Sequence, residues 1–280
     1  MKILVLSVFP APYRMAVFKG LCAEHDLTVF FERNKDGERN TSWFEGQKNG
    51  LHFNLLDNDD GIQKFKKCLK EIKKFDFVLC YDPLTRTARN LERLCMVKKV
   101  QYIMNADGAL NIDGHLAKKI IKSFYIKNAY KCLAGCEKAR EYFEFYGAKK
   151  EDVWRHNFSS VYRSEVLPAP ITLKERTQLR LKKGMKNTVT FIAVGQFIYR
   201  KGFDLLLDAW KKTKEARFVS NLIIVGGGGL KAEYLSTIKE NELQDSVLII
   251  DYLPHDELLE YYKMSDVFVM PTREDIWVWS

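Results

Sequence analysis

The chain contains 280 residues, of which 46% are hydrophobic and 29% are charged. This length suits two domains of ordinary size, and the composition excludes an intrinsically disordered or low-complexity chain. The net charge of +9 is uneven, because residues 1–170 contain 29 Lys and Arg against 21 Asp and Glu, whereas residues 171–280 contain 16 against 15. The basic half indicates either an anionic partner or simply a soluble protein of high pI.

The first half of the chain alternates strand and helix patterns. Lys2–Phe9 is a continuous apolar run, typical of a parallel strand that is buried on both faces. Further strand-like runs lie at 26–32, 76–81, 100–106 and 131–136. The helical pattern that follows the last of these runs ends near Gly147, a residue type common just after helices. This alternation predicts an α/β fold with an open, doubly wound parallel sheet.

A second alternation begins at residue 188. Strand patterns at 188–195, 221–226, 246–251 and 266–271 are separated by amphipathic helical patterns. Residues 166–187 contain two prolines and no buried-strand run, so the sequence predicts a linker there. The predicted organisation is two Rossmann-like domains, residues 1–165 and 188–280. Because ligands bind at the carboxyl edges of such sheets, we expect a ligand cleft between the two domains.

The six cysteines all lie within the first 136 residues. None forms a C-x-x-C pair and no second ligand pair follows with zinc spacing, so we expect reduced thiols and no bound metal. The opening MKILVLSVFP is short for a signal peptide, and no run approaches the roughly 18 apolar residues of a spanning helix. We therefore expect a cytoplasmic protein, either soluble or peripheral on the inner face of the plasma membrane.

The segment VGQFIYRKGFDLLLDAW combines a strand end with a helix start. Gly195 ends the strand, and Arg200 and Lys201 stand where the next helix begins. A helix N-terminus offers free N–H groups and a partial positive charge, and two adjacent cations would strengthen its grip on a diphosphate. The alternative interpretation is a solvated pair of charges at a helix start.

Two later segments also follow predicted strands. Gly226–Gly229 form a glycine run, which permits close approach of the backbone to a ligand but is neither a P-loop nor a G-x-G-x-x-G fingerprint. Glu274 and Asp275 follow the last predicted strand in the segment PTREDIW.

The order of these segments is more specific than any one of them. VGQFIYRKGFDLLLDAW, LIIVGGGG and DYLPHDELLEYYKMSDVFVMPTREDIW together resemble the donor half of retaining GT-B glycosyltransferases of the family 4, or group 1, type. The resemblance covers roughly residues 190–277 and is looser in the first half, where it rests on SVFPAPYR and NADG. It implies a nucleotide-diphosphate sugar donor, a glycan or lipid-linked acceptor in cell-surface polysaccharide biosynthesis, and no metal or other cofactor.

The resemblance also implies a set of site residues. Arg200 and Lys201 would bind the donor phosphates and stabilise the leaving nucleoside diphosphate. The implied donor-binding residues are Gly195, Gln196, Arg200, Lys201, Gly226, Gly227, Tyr252, Leu253, Glu274, Asp275 and Ile276. The backbone around Tyr252 and Leu253 would face the base, and the loop holding Glu274 and Asp275 would hold the sugar hydroxyls. Many relatives have Arg where Gln196 stands, and Arg200 would take over its part.

The first half supplies candidates for the acceptor side. Asp107, in NADG, stands where many relatives have a His near the reacting carbon, so the resemblance implies a catalytic role; the alternative is a turn residue. Pro12, Tyr13 and Arg14 follow the first strand and are acceptor-side candidates, with a structural loop as the alternative.

The segment HLAKKIIKSFYIKNAYK has five lysines and no acid. Ile120, Ile121, Phe124 and Tyr125 are interleaved with these lysines. Such a basic amphipathic helix is suited to an anionic membrane surface. The alternative is a solvated helix whose apolar residues pack on the sheet.

In the family that the chain resembles, REDIW is followed by a glycine, an apolar run and a second Glu. Here VWS follows, and a partner for Asp275 would fall beyond Ser280. We therefore expect a chain shortened at its C-terminus, with weak or no transferase activity. The alternatives are a non-catalytic chain that at most binds nucleotide, a complete small protein, and a nucleotide-sugar epimerase. A nucleic-acid binder is disfavoured because no recognition motif accompanies the basic residues.

Overall fold

The chain folds into two units with separate hydrophobic cores. The structure, a computed structural model, describes residues 1–34, 51–82, 85–108, 115–157, 159, 166–216 and 218–273. The first unit lies within residues 1–165 and the second within residues 166–275. Each is built on one parallel sheet, so the predicted α/β class with two Rossmann-like sheets is confirmed.

The first unit contains a seven-stranded sheet in the described residues. Its strands are β1 Lys2–Ser7, β2 Asp26–Phe31, β3 Phe53–Leu55, β4 Phe77–Cys80, β5 Gln101–Ala106, β6 Lys131–Ala134 and β7 Val153–Arg155. The described helices are α1 Pro12–Cys22, α2 Asp59–Lys70, α3 Arg86–Lys98, α4 Leu116–Asn128 and α5 Glu137–Phe145. The order β3-β2-β1-β4-β5-β6-β7 places a switch point between β1 and β4, where ligand-binding loops of such sheets diverge.

β1 shows why the parallel strands appear as continuous apolar runs. Leu4 and Leu6 share one core with residues of α2 to α5, whereas Ile3 and Val5 share another core with Phe18 of α1. Successive strand residues point to opposite faces, and both faces of this sheet are covered by helices. Every interior position of the strand is therefore apolar.

The two edge strands of this sheet, β3 and β7, are missed by the sequence pattern. Each has only three residues, too few to show an alternation. β7 also leaves Trp154 52% exposed, since an edge strand is covered less completely than a central one.

Glu92 on α3 is a charged residue buried inside the first core. Its side chain is inaccessible to solvent, and neither carboxylate oxygen has a hydrogen-bond partner among the described residues. Burial raises the pKa of Glu92 to about 7, against an ordinary value of 4.5, because the cost of burying the charged form exceeds the favourable effect of the nearby Arg89 charge. The folded protein therefore takes up a proton that the unfolded chain releases.

This linkage predicts that the free energy of unfolding falls as the pH rises from about 4.5 through about 7. Because Glu92 is protonated more readily in the folded state, its favourable contribution is complete below the unfolded pKa and is lost above the folded one. In Glu92→Gln this pH dependence is expected to disappear, with a gain over the natural chain of roughly 3 kcal/mol at pH 8. Urea unfolding at pH 5 and pH 8 measures both, with exposed Glu141→Gln as control. Equal pH dependence in Glu92→Gln and the natural chain would contradict the prediction.

The second unit contains a four-stranded parallel sheet in the described residues. Its strands are β8 Thr190–Val194, β9 Asn221–Val225, β10 Val247–Ile250 and β11 Val267–Phe268. The described helices are α6 Leu173–Lys182, α7 Phe203–Glu215, α8 Lys231–Glu240 and α9 His255–Met264. The strand order is β10-β9-β8-β11.

Residues 166–187, for which the sequence predicts a linker, contain α6 and group with the second unit. The side chain of Arg180 is almost fully buried and donates from Nε to the Met264 carbonyl oxygen at 2.8 Å. Its guanidinium also pairs with Asp266, at the start of β11. These polar contacts fix α6 to the second sheet, and a search for apolar strand runs does not detect them.

Candidate functional site

The carboxyl edge of the second sheet has a switch point between β8 and β11. β8 leads through α7 to β9 on one side, whereas β11 pairs with β8 on the other side. Loops leaving such neighbouring strands diverge, and ligands of open parallel sheets bind in the crevice between them. Here the two loops are residues 195–202 after β8 and residues 269–273, the described part of the loop after β11.

Gly202 brings these two loops together. It precedes α7 with a φ of +68°, in the left-handed region that side chains disfavour. A Cβ atom at this position would lie 2.1 Å from the carbonyl oxygen of Pro271. Both the backbone conformation and the close approach therefore require glycine.

Hydrogen bonds join the same two loops. The Arg200 carbonyl oxygen accepts from the Arg273 N–H at 2.9 Å and from the Thr272 hydroxyl at 3.0 Å. The Arg273 guanidinium donates to the Tyr199 carbonyl oxygen at 2.8 Å and lies 4.0 Å from the centroid of the Tyr199 ring. As a result, the segment after β11 starts directly beside the Arg200–Lys201 turn.

Asp204 compensates the charge of Arg273. Nη1 of Arg273 lies 2.7 Å from Asp204 Oδ1, and Nη2 donates to the other carboxylate oxygen. These hydrogen bonds lower the pKa of Asp204 and raise that of Arg273. Asp204 lies in the first turn of α7, where the helix dipole favours an acid. Arg273 therefore fixes the loop after β11 to the start of α7.

The glycine run packs against the loop after β8. Gly226, with a φ of +153°, approaches so closely that a Cβ atom there would lie 1.9 Å from the Gly195 carbonyl oxygen. A Cβ atom at Gly227 would lie 2.8 Å from the Tyr252 ring, whose hydroxyl donates to the Gly227 carbonyl oxygen at 2.9 Å. The Lys201 Cδ would lie 3.8 Å from a Cβ atom at Gly195. Five residues implied as donor-binding thus lie at one edge of the sheet.

A cluster of buried aromatic side chains packs beneath the loop after β8, on its core side. Phe197 is fully buried and packs edge to face against Phe203 and Tyr234. Its N–H donates to the Gly227 carbonyl oxygen at 2.8 Å. The sequence analysis does not single out these residues, because an aromatic residue in such a loop has no distinguishing pattern until its partners are known.

Arg14 forms the centre of a second polar cluster, at the carboxyl edge of the first sheet. Its buried guanidinium donates to both oxygens of Asp82, at 2.5 and 3.0 Å, and to Asp107 Oδ2 at 2.8 and 3.0 Å. It also donates to the Ser7 hydroxyl at 2.8 Å. Burial by itself lowers the pKa of Arg14, but the negative charges around it, Asp82 foremost, outweigh burial and raise it. The guanidinium is therefore charged at every accessible pH.

The predicted acceptor-side and catalytic residues of the first unit meet in this cluster. Asp107 Oδ1 accepts a hydrogen bond from Asn105 Nδ2 at 2.5 Å, and Asp107 Oδ2 accepts from Arg14. Both carboxylate oxygens of Asp107 therefore have partners. Pro12 begins α1, and the half-buried Tyr13 has its ring centroid 5.7 Å from the Arg14 guanidinium carbon. Arg14 thus ties together the loops that follow β1, β4 and β5, and the roles assigned to these four residues stay predictions.

Tyr81 and His156 extend this edge and are missed by the sequence analysis. The Tyr81 hydroxyl lies 3.3 Å from His156 Nε2. Burial lowers the pKa of His156, which Asp107 partly counteracts, and burial also raises the pKa of Tyr81. The two residues are 75 positions apart in the sequence, and no local pattern links them.

Several predicted site residues receive less detail from the structure. Glu274, Asp275 and Ile276 lie outside the described residues. Gln196 is half-buried directly after Gly195, and Leu253 packs at the margin of a core cluster. Within the described ranges, no group of three or more His, Cys, Asp or Glu residues is arranged to hold a metal ion. The described helices include none that is long and apolar enough to cross a membrane.

Solved structures resemble the whole chain in fold. Anabaena Alr3699/HepE in complex with UDP matches with a TM-score of 0.71 at 13% identity, covering 98% of this chain and 75% of that one. Sucrose-phosphate synthase from Thermosynechococcus elongatus matches with a TM-score of 0.60 at 14% identity, covering 99% and 77%. UDP-GlcNAc 2-epimerase from Methanocaldococcus jannaschii matches with a TM-score of 0.56 at 13% identity, covering 96% and 78%. The fold is therefore that of the GT-B proteins.

A comparison with protein-family models is more specific than the fold. Residues 175–275 match the family model described as glycosyl transferases group 1, and this stretch contains both loops of the switch point and the glycine run. The second unit therefore contains a glycosyl transferases group 1 domain, in a chain whose fold is that of the GT-B proteins.

Individual relatives match only parts of the chain. The amylovoran biosynthesis glycosyltransferase AmsD of Erwinia amylovora is 40% identical over 82 residues, which is 29% of this chain and 22% of that protein. An uncharacterised glycosyltransferase of Methanocaldococcus jannaschii is 23% identical over 208 residues, which is 72% of this chain and 53% of that protein. The matches thus span between about a fifth and about half of the length of these relatives.

Proposed function

We propose that the protein transfers a sugar, with retention of its anomeric configuration, from a nucleotide-diphosphate sugar to a glycan or lipid-linked acceptor in cell-surface polysaccharide biosynthesis. The observation that carries this proposal is the joining of the two switch-point loops through Gly202 and the Arg200 carbonyl oxygen. This joining supports the proposed role of Arg200 and Lys201, because both residues lie in the loop after β8 and ligands of such sheets bind at the edge where these loops lie.

The diphosphate of the donor is the ligand that this edge suits best. Arg200 and Lys201 form the turn that precedes α7, so their charges add to the positive end of the helix dipole. Gly226 lets the glycine run pack directly against the loop after β8, because a Cβ atom there would lie 1.9 Å from the Gly195 carbonyl oxygen. Tyr252, 37% exposed beside Gly227, offers a ring face for the base.

The activities of similar proteins agree with such a donor and with such a pathway. Anabaena Alr3699/HepE was solved with UDP and with UDP-glucose. AmsD and AmsK of Erwinia amylovora are both amylovoran biosynthesis glycosyltransferases. A Mycolicibacterium smegmatis relative, 28% identical over 102 residues, is a GDP-mannose-dependent mannosyltransferase. These names favour a polysaccharide pathway and leave uridine and guanosine as the bases to test first.

The proposed reaction forms one bond and breaks one. The acceptor hydroxyl oxygen bonds to the anomeric carbon on the face from which the phosphate oxygen leaves, and the hydroxyl proton passes to that phosphate. Arg200 and Lys201 stabilise the negative charge that develops on the leaving diphosphate, so we propose that no metal is needed. Asp107 is proposed to accept a hydrogen bond from a substrate hydroxyl at Oδ1, which keeps one lone pair beside its contact to Asn105, whereas Oδ2 accepts twice from Arg14.

Calorimetry with UDP, GDP, ADP, their glucose, galactose and mannose derivatives, and UDP-GlcNAc tests the donor. We expect one nucleoside diphosphate to bind at least about tenfold more tightly than the others, since a base site discriminates among bases. Each sugar nucleotide is then incubated with the protein and a panel of oligosaccharide acceptors, and NMR follows transfer, hydrolysis and epimerisation. Absence of binding by every nucleotide would overturn the proposal.

The remaining outcomes of this experiment separate the alternatives. Binding without turnover would support a non-catalytic nucleotide-binding chain. Inversion at sugar C2 of UDP-GlcNAc would support an epimerase, which the likeness to two UDP-GlcNAc 2-epimerase structures makes the second candidate.

A further inference from the structure

The carboxyl edge of the first sheet has a charge opposite to that of its domain. In the described residues, the two positions after each strand hold four acids and one arginine, which are Glu32, Asp57, Asp82, Asp107 and Arg33. Arg14 of α1 adds one further positive charge at this edge. The edge is therefore acidic, although residues 1–170 contain 29 Lys and Arg against 21 Asp and Glu. A local negative charge of this kind disfavours the approach of an anionic ligand.

Arg14 does not reverse the sign of this edge. Its single guanidinium pairs with the carboxylates of both Asp82 and Asp107. The Arg14 side chain is only 7% exposed, whereas those of Asp82 and Asp107 are 25% and 17% exposed. A ligand that approaches this cluster therefore meets carboxylate oxygens before it meets the guanidinium. A phosphate group would lie beside two like charges there, and like charges at close range repel.

His156 places an imidazole at the same edge. Its N–H donates to the Ala134 carbonyl oxygen at 2.9 Å, which continues the pairing of β6 with β7. The half-buried ring stands edge-on to Tyr81, with ring centroids 6.1 Å apart. Tyr81 is buried and packs edge to face on Phe18, with ring centroids 4.8 Å apart. The hydrogen bond between the Tyr81 hydroxyl and His156 Nε2 therefore gives the imidazole a fixed orientation.

The imidazole of His156 is uncharged at neutral pH. Burial lowers its pKa, and the negative charge of Asp107 counteracts this only in part. The same charge contributes to the raised pKa of Tyr81, so the three side chains lie within electrostatic reach of one another. A neutral imidazole donates one hydrogen bond and accepts one, whereas a carboxylate only accepts. This combination suits the hydroxyls of a sugar, each of which both donates and accepts.

We propose that the carboxyl edge of the first sheet binds an uncharged sugar of the acceptor and disfavours an acceptor that ends in phosphate. His156 and Asp107 contact hydroxyls of this sugar, and Arg14 orients Asp107. Because it names the acceptor of the same reaction, this assignment rests on the proposed function. If the acceptor is lipid-linked, an earlier transfer must already have placed a sugar on the lipid phosphate.

Saturation-transfer NMR titrations with the full chain, without nucleotide, test this inference. The probes are the hexyl glycosides of glucose, galactose and mannose, and hexyl phosphate, which share one alkyl chain. We expect at least one glycoside to bind about tenfold or more tightly than hexyl phosphate. His156→Ala is expected to weaken binding of that glycoside about fivefold, as for the loss of one hydrogen bond. His52→Ala, at an exposed histidine of the same unit, should bind it like the natural chain.

Asp107→Asn gives a readout that a merely structural role would not move. This variant removes one negative charge with little change of shape, so we expect hexyl phosphate to bind about fivefold more tightly to it than to the natural chain. Asp76→Asn is the matched control, because Asp76 is exposed and precedes β4 at the opposite edge of the sheet. It should leave the binding of every probe unchanged. Thermal melts verify that all variants fold.

Four results would overturn the proposal. They are hexyl phosphate binding as tightly as the best glycoside, no binding by any probe, equal glycoside binding by His156→Ala and the natural chain, and equal phosphate binding by Asp107→Asn and Asp76→Asn. Nucleotide binding is measured separately by calorimetry. Preference for hexyl phosphate together with nucleotide binding would leave the donor proposal standing, whereas glycoside binding without nucleotide binding would leave only the sugar site.

Discussion

Replacing Arg200 and Lys201 together with alanine is expected to weaken binding of the nucleoside diphosphate by about 100-fold or more. Charge-assisted hydrogen bonds contribute roughly 1.5–3 kcal/mol each, and the two residues stand at the positive end of α7. The corresponding free nucleoside should lose little affinity, because it lacks the phosphates that the two cations would contact. Calorimetry with the nucleoside diphosphate and with the nucleoside measures this difference.

The matched control for this prediction lies on the same helix. Lys211 and Lys212 are exposed further along α7, so Lys211→Ala with Lys212→Ala removes the same net charge away from the N-terminus. We expect this variant to bind the diphosphate nearly as well as the natural chain. Equal losses in the two double variants would mean that net charge alone matters, and unchanged affinity in Arg200→Ala with Lys201→Ala would remove the phosphate site from the proposal.

Gly202→Ala is expected to lower the free energy of unfolding by about 3 kcal/mol and to abolish tight nucleotide binding. The left-handed backbone costs an alanine roughly 1–2 kcal/mol, and its Cβ would also lie 2.1 Å from the Pro271 carbonyl oxygen. The backbone must shift to relieve this contact, which breaks the hydrogen bonds from Thr272 and Arg273 to Arg200. Urea unfolding and calorimetry measure the two effects.

Gly184 separates the two costs that act at Gly202. Its φ is +70°, nearly the same, but no atom lies within 4 Å of the position that a Cβ would occupy. Gly184→Ala is therefore expected to lose only the backbone cost of roughly 1–2 kcal/mol and to bind nucleotide normally. If the two variants lose equal stability, the close approach of Gly202 to Pro271 does not constrain the loop.

The contacts between the two loops hold the segments RKG and PTR next to each other in the second unit. The backbone of Gly202 lies against the Pro271 carbonyl group. Arg273 forms an ion pair with Asp204 and packs on the Tyr199 ring. Both contacts bridge about 70 residues of sequence. Because these contacts depend on the packing of the second sheet, we expect variants that destabilise the sheet also to weaken the proposed donor binding.

Much of the candidate donor site could be predicted from the sequence. Gly195, Gly226 and Tyr252 each follow a predicted strand, and parallel strands end at a common edge. The contacts among them could not be predicted, because they depend on backbone approach within about 3 Å. The sequence analysis names Glu274 and Asp275 but not Arg273. Arg273 nevertheless lies after the end of a strand, as Gly195 does.

The first unit shows the same division. The position after a strand predicts Arg14 as an acceptor-side candidate, and the family resemblance separately implies Asp107 as a catalytic candidate. The structure pairs them across 93 residues and adds Asp82, which no local motif distinguishes. Such long-range ion pairs depend on the order of the strands in the sheet, and this order cannot be predicted from any single segment of the sequence.

The sequence by itself determined the α/β class, the two sheets and the strand ends at which the candidate site residues lie. It could do so because strands covered on both faces require apolar residues at every interior position, and helices require a spacing of about 3.6. Only the tertiary structure decided that α6 belongs to the second unit, that Arg14 is buried among carboxylates, and that Ile120 and Phe124 of α4 face solvent. Those outcomes depend on which surfaces pack together in the folded chain. When a helix has two apolar sides, its sequence does not show which of them the sheet will cover.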